Sequence, residues 1–213
     1  MARKTKEDAQ LTCVALLEAA GKVFFQNGVA GTTLNDIAAC AGLTRGAIYW
    51  HFRDKTDLLK ALFERNMLPA EAMLQELEQA KDVNPLQALR DMCVQLLTNL
   101  ARSPEQQRVF SIMLHKCEYV GQVAAILEVK TAKREECLVK INAILQRAVT
   151  GGYLPPNSDI ALIYQSIISF MSGIISEWLL APRAFALDTS APAMIDMLFS
   201  GFQACPPRRA LAA

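Results

Sequence analysis

The sequence predicts an all-α fold, on three observations. Apolar residues recur at helical spacing along nearly the whole chain, no sustained apolar/polar alternation bounded by Asn-Gly or Asp-Gly turns appears, and helix stop and start signals separate the periodic segments. Those segments give nine helices in two domains, residues 1–55 and residues 56–213. The first helix is expected over Glu7–Gln26, with Val14, Leu17, Ala20, Phe24 and Phe25 as its inner stripe and Asn27-Gly28 as its stop. The second begins behind Thr33, whose hydroxyl caps it while Asp36 stands three residues on. Gly42 supplies a tight turn, and Thr44 caps a third short helix through His51.

Asp57 opens a fourth helix to about Lys81, with a bend expected at Pro69. Asn84-Pro85 opens a fifth to Ala101, Ser103-Pro104 a sixth to Leu114, and Gly121 precedes a seventh to Thr150. Gly151-Gly152 and Pro155-Pro156 break the chain before an apolar eighth helix, Asp159–Leu180. A connection over Pro182–Ser190 leads to the last, Ala191–Cys205.

Composition narrows the function classes. Hydrophobic residues make up 52% of the 213 and charged residues 20%, so the chain has an oily interior or a buried subunit face and is not disordered. The apolar runs Ile160–Tyr164 and Ile167–Met171 are interrupted by Gln165, Ser166, Ser169 and Ser172, so no membrane span is expected. A basic start followed by Glu7, Asp8 and Gln10 lacks a signal core, which suggests a cytoplasmic protein. Six dispersed cysteines form no C-x-x-C pair and read as reduced core thiols. His115-Lys116-Cys117-Glu118 has no second cluster to complete a tetrahedral metal site, and no cofactor motif is present. Two histidines, 51 and 115, without a companion nucleophile or carboxylate pair argue against an enzyme.

Net charge is only +1, so nucleic-acid affinity requires a local patch. Residues 33–51 read helix, glycine turn, helix at the spacing of a DNA-reading unit. In such a unit the start of the second helix faces base edges, and flanking groups hold the backbone. Arg45 offers two parallel donors to a guanine edge, Thr44 a hydroxyl for phosphate or a methyl for thymine, and Gly46 close approach. Tyr49, His51 and Lys55 are expected to clamp phosphates, and Lys4, Lys6, Thr33 and Trp50 complete the candidate set. The competing reading is a core hairpin in which Tyr49 and Trp50 are buried aromatics and His51 a satisfied histidine.

The run T-T-L-N-D-I-A-x-x-A-G-L-T-R-G-A-I-Y-W-H-F-x-D-K-x-D-L resembles the signature of the TetR (tetracycline-repressor) family. The opening M-A-R-K-T-K-E-D-A-Q and H-K-C-E at His115–Glu118 resemble its AcrR- and TtgR-type branch, repressors of multidrug efflux pumps. The resemblance implies a homodimer of nine-helix subunits, a three-helix head on double-stranded operator DNA, and a six-helix body for ligand and dimer contacts. It also implies a pocket for a small hydrophobic, drug-like ligand at Phe63, Met67, Met92, Cys93, Leu96, Phe110, Leu114, Cys137, Ile141, Ile167, Ile168, Met171 and Ile175. Glu118 and Arg134 would orient polar groups of that ligand. Chains of this branch carry Arg after Thr12, whereas Cys13 here cannot neutralise a phosphate; one contact fewer lowers the salt slope of binding by roughly one unit.

The eighth helix holds more apolar residues than one buried stripe needs, so a second face should meet a symmetry mate. Tyr164, Phe170, Ile174 and Trp178, with Met194, Met197, Leu198 and Phe202 of the ninth helix, are the expected dimer contacts. A helical adaptor that binds no DNA would be indifferent to Arg45→Ala, and an activator would share every feature above.

Overall fold

The computed structural model describes residues 6–80, 83–119 and 124–208. Among them it has α1 (Lys6–Asn27), α2 (Leu34–Cys40), α3 (Arg45–His51), α4 (Lys55–Gln79), α5 (Pro85–Arg102), α6 (Pro104–His115), α7 (Ala125–Thr150), α8 (Ile160–Leu180) and α9 (Leu187–Ala204). No β-strand occurs among the described residues; a single isolated bridge joins Ser158 and Arg208. Lys4 and the expected helix start at Gly121 lie outside the described residues.

Two compact units divide the chain. The first comprises residues 1–68 and 105–131, the second residues 69–104 and 132–213, so the first extends past the boundary expected at 55. The reason lies in α4, whose Leu58, Leu59 and Leu62 are buried in one cluster with Leu16, Ala20 and Phe24 of α1, Ile37 of α2 and Ile48 of α3. Val109 and Ile112 of α6 and Ile126 of α7 close that core. The boundary inside α4 falls at Pro69, which lacks the N–H that would bond the carbonyl one turn back.

In the second unit, Leu86, Leu89, Cys93 and Leu97 of α5 and Leu187, Ala191, Ile195 and Phe199 of α9 are fully or almost fully buried on helices in extensive contact. Arg90 ties the two by donating from Nε to Asp196 at 2.7 Å. At the end of α4 the carbonyls of Leu77 and Glu78, and that of Ala80 just past the helix, accept from the Arg147 guanidinium of α7, which satisfies orphan acceptors at a helix end.

Caps explain most boundaries. Asn84 accepts from the Leu86 and Gln87 amides with Pro85 first in α5, and Asp159 accepts from the Leu162 amide at the start of α8. Asp54, rather than Asp57, caps α4, accepting from the Asp57 amide at 2.8 Å, so the helix starts two residues earlier than expected. α9 also starts earlier, at Leu187. Its N-cap Ala186 makes no side-chain cap bond, and Pro192 lies inside the helix; burial of Leu187 and Ala191 anchors the first turns. By length and composition α8 is apolar enough to cross a membrane, contrary to the expectation that no segment reaches that threshold, yet six of its residues are buried within this chain.

Candidate nucleic-acid interface

The head is built by local chemistry. Thr33 and Asp36 form a full capping box on α2: the Thr33 hydroxyl oxygen accepts from the Asp36 amide, and Asp36 Oδ2 accepts from the Thr33 amide at 2.9 Å. Bonds from the Thr33 hydroxyl and amide hold the Asp36 carboxyl below the usual aspartate range. At the other end of α2, Gly42 N–H donates to Ala39 O at 3.0 Å and Leu43 N–H to Ala38 O at 2.9 Å, the paired bonds of a Schellman motif. Gly42 has φ +67°, a conformation that a side chain would strain. Thr44 then caps α3 by accepting from the Ala47 amide at 3.3 Å.

This geometry presents the face expected of a reader. Ile48 alone of α3 is fully buried; Arg45, Gly46, Tyr49 and Trp50 are exposed, Tyr49 by 47% and Trp50 by 72%. A core hairpin with Tyr49 and Trp50 inside is thereby excluded. The Arg45 guanidinium lies 5.4 Å from the centre of the Tyr49 ring, a cation–π arrangement that holds the donor fork over the surface. A Cβ at Gly46 would meet only Thr44 Oγ1, at 3.9 Å, so packing inside the unit does not require glycine there. His51 is half-buried with its ring 4.5 Å from that of Trp50, and Lys6 is exposed at the start of α1.

Lys55 has partners that its sequence position does not announce. Its ammonium donates to the carbonyls of Val29, Ala30 and Thr32, so it is engaged inside the protein. Cys13 is half-buried against the first unit's core, and burial raises its pKa, partly offset by Arg65.

The residues expected to line a ligand pocket fall in both units. In the first, Phe63 is buried, Met67 and Phe110 are half-buried, and Leu114 and Glu118 are exposed. In the second, Cys93, Ile141, Ile167 and Met171 are buried, whereas Met92, Leu96, Cys137, Ile168 and Ile175 are half-buried. Cys93 is so thoroughly desolvated that its thiol pKa is pushed up to about 12. Arg134 is exposed and donates to Gln165 Oε1 at 2.8 Å. Leu114, expected in the apolar wall, and Glu118 and Arg134, expected to orient polar groups of the ligand, are thus all exposed to solvent.

Four expected dimer residues turn inward. The Tyr164 hydroxyl donates to Arg134 O of α7 at 3.3 Å, Trp178 Nε1 donates to Phe185 O at 3.2 Å, and Ile174 is buried. Phe202 is 95% covered, its ring edge-on to Phe199 at 5.7 Å. The outer face is carried by Phe170, Met194, Met197 and Leu198, none of them fully buried, and by Leu162 and Leu180, which periodicity alone did not single out. Leu162, Phe170, Met197 and Leu198 border an apolar groove of about 610 Å³ that ends at Pro206 and Pro207. Among the described residues no group of three or more His, Cys, Asp or Glu is placed to hold a metal ion.

A capped helix, a Schellman turn at glycine and a second helix that exposes arginine, tyrosine and tryptophan define a helix-turn-helix DNA-binding protein. Residues 16–62 match the family described as bacterial regulatory proteins, tetR family, and residues 84–204 match the C-terminal region of MAATS-type transcriptional repressors. The chain is 37% identical to the HTH-type transcriptional regulator AcrR of Shigella flexneri over 98% of its own length and 97% of the relative's. Among solved structures it resembles NalD, the secondary repressor of the MexAB-OprM multidrug efflux pump in Pseudomonas aeruginosa, at 27% identity and TM-score 0.79, covering 94% of this chain and all of that one. It also resembles a SmeT–triclosan complex, at 26% identity and TM-score 0.83, covering 96% and 100%. SmeT is the repressor of the Stenotrophomonas maltophilia efflux pump SmeDEF. The chain belongs to the tetR family of bacterial transcriptional regulators.

Proposed function

We propose that the chain represses a multidrug efflux operon as a homodimer on a near-palindromic operator and is released by small apolar, drug-like molecules. The observation that carries this reading is the exposed Arg45–Tyr49–Trp50 surface of α3 behind the Thr44 cap. Arg45 reads a guanine edge, Thr44 Oγ1 has its O–H free for a phosphate while its lone pair serves the Ala47 amide, and Gly46 lets α3 approach the duplex. Trp50, His51 and Lys6 face the backbone. Two heads in successive major grooves require an operator with matching half-sites.

The dimer forms on the outer face of α8 and α9, where a second copy covers Leu162, Phe170 and Met197. The ligand is apolar and aromatic, as triclosan is in the SmeT complex. Cys93, Ile141, Ile167 and Met171 supply apolar lining in the second unit, and methionine adapts to varied shapes. Release follows only from a ligand that binds the DNA-incompetent state more tightly than the competent one. The controlling experiment selects duplexes from a random pool and titrates the winner with wild type and Arg45→Ala, with and without triclosan. A palindrome that wild type holds, Arg45→Ala fails to distinguish and triclosan releases is the expected result. No enrichment at low salt overturns the DNA-binding role.

A further inference from the structure

Lys55 opens α4, where a cation opposes the helix dipole. Its surroundings compensate. Nζ donates to Val29 O at 2.6 Å, Thr32 O at 3.1 Å and Ala30 O at 3.3 Å, all in the loop between α1 and α2. An ammonium has three N–H bonds and no acceptor, so these carbonyls take up its donor capacity.

The same loop is held at two other points. The Val29 amide donates to Lys116 O, just past the end of α6, at 3.2 Å, and buried Thr32 donates its hydroxyl to Gly28 O at 2.7 Å. Gly28 has φ +73°, and a Cβ there would lie 3.7 Å from Lys116 O. The loop then runs straight into Thr33, the N-cap of α2, and α2 leads through the Gly42 turn to α3. A displacement at the start of α4 therefore reaches the N-cap of α2 through Lys55 and the loop, and α3 through α2 and the Gly42 turn.

We propose that Lys55 is a positioning residue for operator recognition, which holds loop 28–32, and through it α2 and α3, in the arrangement that fits DNA. It rests on the repressor reading and acts through the loop rather than through a phosphate. When the pin is lost, the reading-competent arrangement becomes a smaller fraction of the folded protein, and apparent affinity falls by that fraction.

The test titrates the selected duplex at several salt concentrations with wild type, Lys55→Met, Lys55→Arg and Thr32→Val, alongside hydrogen exchange at the Val29 amide and thermal melting. Lys55→Met is expected to bind about tenfold more weakly, the scale of lost hydrogen bonds to a charged group, with the slope of log K against log salt unchanged. Thr32→Val, which alters no charge, weakens binding in the same direction, and Lys55→Arg recovers part of the loss. Val29 exchanges faster in Lys55→Met and in Thr32→Val.

A slope that drops by about 0.9 per phosphate in Lys55→Met, with Thr32→Val binding like wild type, makes Lys55 a phosphate contact and overturns the proposal. Wild-type affinity in both variants, with only a lower melting temperature, overturns it in favour of a purely structural bond. Failure of wild type itself to enrich any duplex overturns the repressor reading and this role together.

Discussion

α3 and α8 both bring large hydrophobic side chains to the surface, in opposite chemical settings. On α3, Tyr49 and Trp50 stand beside the Arg45 guanidinium, the Thr44 hydroxyl and the His51 ring. On α8, Leu162 is 50% exposed and Phe170 borders the groove shared with Met197, itself 68% exposed, while Glu177 is the helix's single charged residue. Aromatic rings among fixed donors suit a charged, stacked, hydrogen-bonding partner. Aliphatic side chains without donors suit another apolar surface, and a second copy presents the same one.

The sharpest way to break the contrast is to charge the α8–α9 face. Leu162→Glu with Met197→Glu buries carboxylates in the proposed dimer interface at roughly 3–5 kcal/mol each, so sedimentation should show a monomer. The monomer should keep the helical content of wild type, because both side chains are exposed in the subunit. A dimer that survives removes the interface from this face. On the opposite side of the comparison, Ile48 is the one fully buried residue of α3, and Ile48→Ala should destabilise the head by roughly 2–5 kcal/mol in denaturant titrations. Arg45→Ala should leave stability unaltered and lose about 1–3 kcal/mol of base discrimination per half-site, read by competition between the selected duplex and single-base variants.

The smallest effect is that of acid. Asp36 and Asp57 are held below the ordinary carboxylate range, chiefly by the Thr33 hydroxyl and by the Arg53 side chain respectively. A depressed folded pKa stabilises above the unfolded value of about 3.9 and is lost as pH falls through the folded value. Melting temperature should therefore be insensitive to these groups near neutrality and fall below pH 4, less so in Asp36→Asn, which has already lost the carboxylate.

The helix-turn-helix was legible because its signals are local. Thr33 with Asp36, Gly42 and Thr44 act within four residues of where they stand, and each makes its expected bond. Arg45 at the start of α3 was legible for the same reason. The start of α9 was not, since Pro182–Ser190 has the composition of a connection and the true start goes with burial of Leu187, which no neighbour along the chain announces. The partners of Lys55 were not legible from its type: a lysine beside the helix-turn-helix suggests a phosphate clamp, and the carbonyls of Val29, Ala30 and Thr32 that surround it lie more than twenty residues earlier.

The sequence by itself determined the helical fold class, where the caps and the glycine turn of α2 and α3 fall, and which short segment forms the helix-turn-helix, because period, capping and glycine conformation are properties of neighbours along the chain. Only the tertiary structure decided which face of α8 turns inward. Tyr164, Ile174 and Trp178 share their apolar character with Leu162 and Phe170, and they differ in having Arg134 O, Phe185 O and buried neighbours to meet. Hydrophobicity is non-directional, so composition states how much surface is to be covered, and packing alone states what covers it.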